Sequence, residues 1–96
     1  MATLKSFEDI EVWQKARSFS KEIYSVTLLD KFSKDFGLKD QIRRSSGSIM
    51  DNIAEGFERG GRKEFIMFLS YAKGSAGEVR SQLYRAFDQG FITEES

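Results

Sequence analysis

The side chains in this sequence that could do chemistry are mostly cations. There is no His and no Cys, which removes an imidazole base, a thiolate nucleophile and the usual nitrogen and sulfur metal ligands. Glu55, in the run Asn52-Ile53-Ala54-Glu55-Gly56, has no Glu-x-x-His partner, and no second motif supplies spaced carboxylates. GxGxxG and P-loop spacings are absent as well. The expectation is a non-enzymatic protein with no catalytic residues, metal or cofactor, and anion recognition is the chemistry left. Arg59, Arg62 and Lys63 bracket the Gly60-Gly61 break. Cations at a helix start oppose the macrodipole, so stability alone does not select them, whereas guanidinium, ammonium and backbone N–H groups together suit a phosphate. Arg43 and Arg44 would extend that surface toward RNA or DNA. The plainer alternatives are a self-paired, solvated turn diluted by Glu58 and Glu64, and a polar outer helix face.

Three long helices are expected to position these groups. Over residues 7–29, Phe7, Val12, Trp13, Ala16, Phe19, Ile23 and Val26 recur at helical spacing, with Ser6 as the N-cap. Residues 30–37 break the pattern and read as a connector. Over residues 38–59, Leu38, Ile42, Ser45, Ile49, Ile53 and Gly56 share a face. Asn52 flanks that face and suits a hydrogen bond across helices or a register-setting role. Gly60 suits the left-handed residue that ends a helix, and Gly61 the next N-cap. Over residues 62–89 the stripe is Phe65, Phe68, Leu69, Ala72, Ala76, Val79, Leu83, Ala86 and Phe87, closed by Gly90 with Phe91 folding back. Gly56, Gly74 and Gly77 read as close-approach positions. Short links between helices this long force antiparallel packing. The fold class is therefore all-α: one domain over residues 1–96, an up-down bundle of three long helices plus the truncated start of a fourth at 93–96, where Thr93-Glu94-Glu95 has an N-cap and first-turn anions. Truncation, or a neighbouring chain over the exposed groove, would explain that stub.

With 96 residues the domain is small and marginal alone, so self-association is expected. A second stripe outside the core faces points the same way: Met50, Ala54 and Phe57, then Ile66, Gly77 and Tyr84, with Ile10, Tyr24 and Leu28 on the first helix. The net charge is zero, split as +3 over residues 38–85 and −3 over the last eleven. This is well short of the footprint of a dedicated nucleic-acid binder. No apolar run approaches the roughly 20 residues of a membrane span and no leader is evident, so a soluble, cytoplasmic protein is expected.

The runs FEDIEVWQKAR, FGLKDQIRRSSGSIMDNIAEGF, KEFIMFLSYAKGSAGEVRSQL and GFIT resemble the four-helix-bundle proteins encoded in 23S rRNA intervening sequences, and the related accessory variability determinant proteins of diversity-generating retroelements. The resemblance covers nearly the whole chain, with Asn52, Glu55 and Gly56 as its motif. It implies an up-down bundle assembling as a homopentamer, nucleic acid or a reverse transcriptase as partner, and no enzymatic activity. The family commonly has Pro where Met50 stands and often Ser where Gly61 stands. If its fourth helix contributes to the ring, the pentamer depends on that helix. The alternative from another class is a purely structural oligomerisation scaffold.

Overall fold

The computed structural model describes residues 6–93. A 3-10 turn (Phe7–Asp9) leads into α1 (Glu11–Thr27), a short α2 (Asp30–Lys34), the long α3 (Phe36–Glu58) and α4 (Arg62–Asp88). Among the described residues there is no strand. The expected fourth-helix start falls on Thr93, which is not helical, and on residues 94–96, which lie outside the described residues.

α3 is the central element, packing along α4 on one side and α1 on the other. Both pairs are antiparallel: Gly56 meets Phe68 while Gln41 meets Arg85, and Thr27 meets Arg43 while Ala16 packs beside Ile53. The result is a rod of 44 × 22 × 20 Å with a radius of gyration of 14.9 Å, above the roughly 12.5 Å expected of a compact domain this long. Its interior divides in two. Ile23, Phe32, Leu38, Ile42, Val79 and Ala86 form one buried cluster, and Ala16, Ile53 and Ala72 the other, with Ile49 bridging them.

Several boundaries differ from expectation. The first helix does not run from residue 7, and the Ser6 side chain makes no capping bond. Ile10 is extended, at φ −82° and ψ 122°, so the chain turns before α1 begins. The turn is held by an edge-on contact of Phe7 with Trp13, centroids 5.0 Å apart, and by Gln14 Nε2 donating to the Glu8 carbonyl at 2.8 Å. The connector is itself helical at α2, because Phe32 is fully buried there and stacks 5.5 Å from Phe91. α3 begins two residues earlier than expected, since Asp35 is its N-cap: Oδ1 accepts from Leu38 N at 3.0 Å. It continues unbroken through Met50.

The glycine-terminated ends follow the expected chemistry. Gly60 and Gly90 have φ of +80° and +75°. Phe91 N donates to the Ala86 carbonyl at 2.9 Å, the bond of a Schellman ending, which carries the Phe91 ring back onto Phe32.

On α4 the buried positions are Phe68, Ala72, Ser75, Val79, Gln82 and Ala86, a seam of alternating threes and fours. Ser75 and Gln82 are buried on this seam, whereas Phe87, at the edge of the expected stripe, is exposed, as is Val12 on α1. Leu69, Ala76 and Leu83 are half-buried on the flank.

Candidate functional site

The basic corner sits where α3 turns into α4. Arg59, the C-cap of α3, donates to Glu55 Oε2 at 2.7 Å and lies over the Phe68 ring at 5.2 Å. Its charge is thus engaged by Glu55 on α3 and by the Phe68 ring on α4. Gly61 caps α4 without a side-chain bond, and the Glu64 carboxylate folds over it so closely that a Cβ there would collide. Glu64 thus sets a carboxylate beside the helix start, where negative charge is favourable. Arg62 and Lys63 remain exposed, with no ion pair among the described residues. Beside them lies a shallow, mainly apolar cleft of Ile10, Gly56, Phe57, Gly60, Gly61, Arg62 and Phe65.

The two arginines on α3 do not join this corner. Arg43 is 16 residues before Arg59, about 24 Å along a helix. Arg44 is engaged with Asp40 at 3.1 Å. Arg43 is half-buried: its Nε donates to Thr27 Oγ1 at 2.9 Å and its guanidinium lies 4.4 Å from the Tyr24 ring centroid. The buried Thr27 hydroxyl donates in turn to the Tyr24 carbonyl at 2.7 Å. The five cations named from the sequence therefore form two separate groups, of which Arg62, Lys63 and Arg43 are free of carboxylates among the described residues.

The second stripe is also divided. Met50 packs against the Ala16/Ile53 cluster, Phe57 meets Phe65 edge-on at 6.3 Å, and Ala54 is half-buried. These are core-edge residues. Ile66, Gly77 and Tyr84 face solvent, the tyrosine at 67% exposure.

The contacts of the motif residues lie within the bundle itself. Asn52 Nδ2 donates to the Ser48 carbonyl at 2.8 Å and to Ser48 Oγ at 2.9 Å, both within α3, so the direct cross-helix bond expected of Asn52 is absent from its described contacts. Ser48 carries the link instead, with its Oγ 2.9 Å from Ser75 Oγ on α4. Glu55 pairs with Arg59 at the surface. At Gly56 an added Cβ would lie 2.7 Å from Phe68 Cβ, whereas at Gly74 and Gly77 it would meet nothing within 4 Å. Of these three glycines, only Gly56 is a close-approach position. Among the described residues no three His, Cys, Asp or Glu side chains cluster to hold a metal, and no helix is long and apolar enough to cross a membrane.

The positions missed from sequence are Arg17 and Lys21. They stand four residues apart on α1, at the helical spacing of Trp13 and Tyr24. Their signal was a pair of cations set between two aromatics at helical spacing, in a segment whose charges cancel.

Fold and site together define an all-helical bundle protein with a cation-bearing surface. The chain belongs to the family of the 23S rRNA-intervening sequence protein, whose family model matches residues 8–96. No functionally curated protein matches it.

Proposed function

We propose that this protein is a non-enzymatic, self-assembling helical bundle that acts in the cytoplasm as a nucleic-acid-binding accessory. The observation that carries the reading is the pair Arg62 and Lys63, exposed at the α3–α4 corner without carboxylate partners among the described residues. Stability does not account for two cations in the first turn of a helix, while a polyanion does. The chain belongs to the family of the 23S rRNA-intervening sequence protein, and the resemblance to that family implies nucleic acid as the polyanion. The resemblance adds a fourth helix, a ring of five subunits and a reverse transcriptase as a protein partner to the same proposal.

A second reading, the purely structural scaffold, draws on Glu64, which covers the helix start, and on the pairing of Arg44 and Arg59. Binding to labelled RNA and duplex DNA at several salt concentrations separates the two. The nucleic-acid reading expects binding that weakens as salt rises and weakens further in Arg62→Gln/Lys63→Gln. If nothing binds at low salt, the scaffold reading stands.

A further inference from the structure

The two groups of cations on α3 and at the corner are separated by about 24 Å, and α1 fills the gap. Its N-terminal end reaches the corner, where Ile10 lines the cleft with Gly60, Gly61 and Arg62. Its other end reaches Arg43 through Tyr24 and Thr27. Between them, Trp13, Arg17, Lys21 and Tyr24 recur at spacings of four, four and three, along about 16 Å of one helix face.

The ion pairs among the described residues engage Lys15, Lys34, Arg44 and Arg59. Arg17, Lys21 and Arg43 are in none of them. Two of the three instead lie over rings: Arg17 stands 5.9 Å from the Trp13 centroid, and Arg43 lies 4.4 Å from that of Tyr24. Arg43 is further fixed by its bond to Thr27, so this couple is held in place before any ligand arrives. Tyr24 keeps 47% of its surface exposed. A cleft beside Trp13, Arg17 and Lys21 contains one carboxylate, Glu8; the groove beside Tyr24 and Arg43 carries Asp51 and Glu55, the latter held by Arg59.

From this arrangement we infer that the α1–α3 seam binds single-stranded nucleic acid, with Arg17, Lys21 and Arg43 on phosphates and Tyr24, backed by Arg43, as a base-stacking platform. The inference rests on the nucleic-acid reading above and gives it a strand class and a second site. A line of cations that ends at an exposed ring, Tyr24, fits a strand whose bases are splayed, because a ring cannot stack on a base already held inside a duplex. Phosphate contacts alone serve either form.

The test compares fluorescence anisotropy of an unstructured single-stranded RNA with that of an RNA duplex of equal length, using the full chain at low salt. The wild type binds the single strand more tightly. Tyr24→Leu weakens single-strand binding by about tenfold and leaves duplex binding unchanged, and Arg17→Gln/Lys21→Gln lowers the single-strand salt slope by about 1.4. Arg62→Gln/Lys63→Gln weakens both forms alike. Circular dichroism melts show whether each variant is folded; if Tyr24→Leu unfolds, the Arg17/Lys21 variant decides the place of the site, and the wild-type preference for the single strand decides the strand class. Equal single-strand and duplex binding, or seam variants without effect beside a corner variant that weakens both, overturns the seam and leaves the nucleic-acid reading intact. Failure of every nucleic acid to bind removes both.

Discussion

Ser48 Oγ and Ser75 Oγ lie 2.9 Å apart across the α3–α4 interface, and Ser48 is in turn held by Asn52 Nδ2 from one turn further along α3. A polar chain of three residues thus crosses a seam that is otherwise closed by Ile42, Ile53, Phe68 and Val79. Such a chain fixes which turn of α4 lies against which turn of α3, because a register slip would leave buried hydroxyls without partners.

The first prediction follows from that link. Ser48→Ala or Ser75→Ala alone costs about 1 kcal/mol, and the double variant costs less than the sum, since removing both partners leaves no orphan. Urea denaturation of the four proteins in the cycle measures the coupling. Strict additivity would show that the two hydroxyls do not interact in solution.

Gly56 and Gly74 provide an opposed pair. An alanine Cβ at 56 would sit 2.7 Å from Phe68 Cβ and 3.4 Å from Phe65 Cα, and a backbone atom cannot step aside without moving α4. Gly56→Ala is therefore expected to destabilise by about 1–3 kcal/mol despite the better helix propensity of alanine. Gly74 has nothing within 4 Å, so Gly74→Ala gains the propensity term, about 0.5–1 kcal/mol. Thermal melts by circular dichroism should move in opposite directions. A common sign would contradict the packing at one of the two sites.

Phe32 and Phe36 show where sequence reading stopped. Both sit in the charged segment DKFSKDFG, yet Phe32 is fully buried and Phe36 is 73% exposed. A single ring among charges has no periodic partner within its own segment, and its partner, Phe91, is far along the chain. Periodicity detects neighbours on one helix and is blind to such a pairing. The same limit applies to Gln82, buried on the α4 seam with its Oε1 unpartnered, because a polar residue does not register in an apolar pattern. The long helices, the Gly60 and Gly90 endings and the Gly56 approach were legible because each is a local constraint. At the candidate site, the corner at Arg62 and Lys63 was legible from the turn. The α1–α3 seam was not, since it exists only once Tyr24 meets Arg43 in space.

Phe32→Ala tests the buried half of that contrast. Losing a buried phenyl costs about 3–5 kcal/mol, a large part of the stability of a domain this small. Denaturant midpoints should fall steeply for Phe32→Ala and barely move for Phe36→Ala. Equal effects would mean that α2 is not docked.

Ile66 and Tyr84 are separated by 18 residues, five whole helical turns, so they lie on one line along α4 with Gly77 about 20° from it. Both side chains are largely exposed, and Gly77 leaves an open notch between them in which a Cβ would touch nothing. Lys73 lies about 20° to the other side of the line, so the apolar character is confined to its two ends, and large exposed apolar side chains there suit burial against a second copy. Light scattering is therefore expected to give a mass well above the 11.0 kDa of one chain. Ile66→Lys/Tyr84→Lys should lower that mass while leaving the helical content of the chain unchanged, because neither residue contributes to the buried clusters. A wild-type protein that stays at the mass of one chain at high concentration would refute self-assembly through this line. A charged variant that still assembles would move the interface to the half-buried Met50, Ala54 and Phe57 edge of α3.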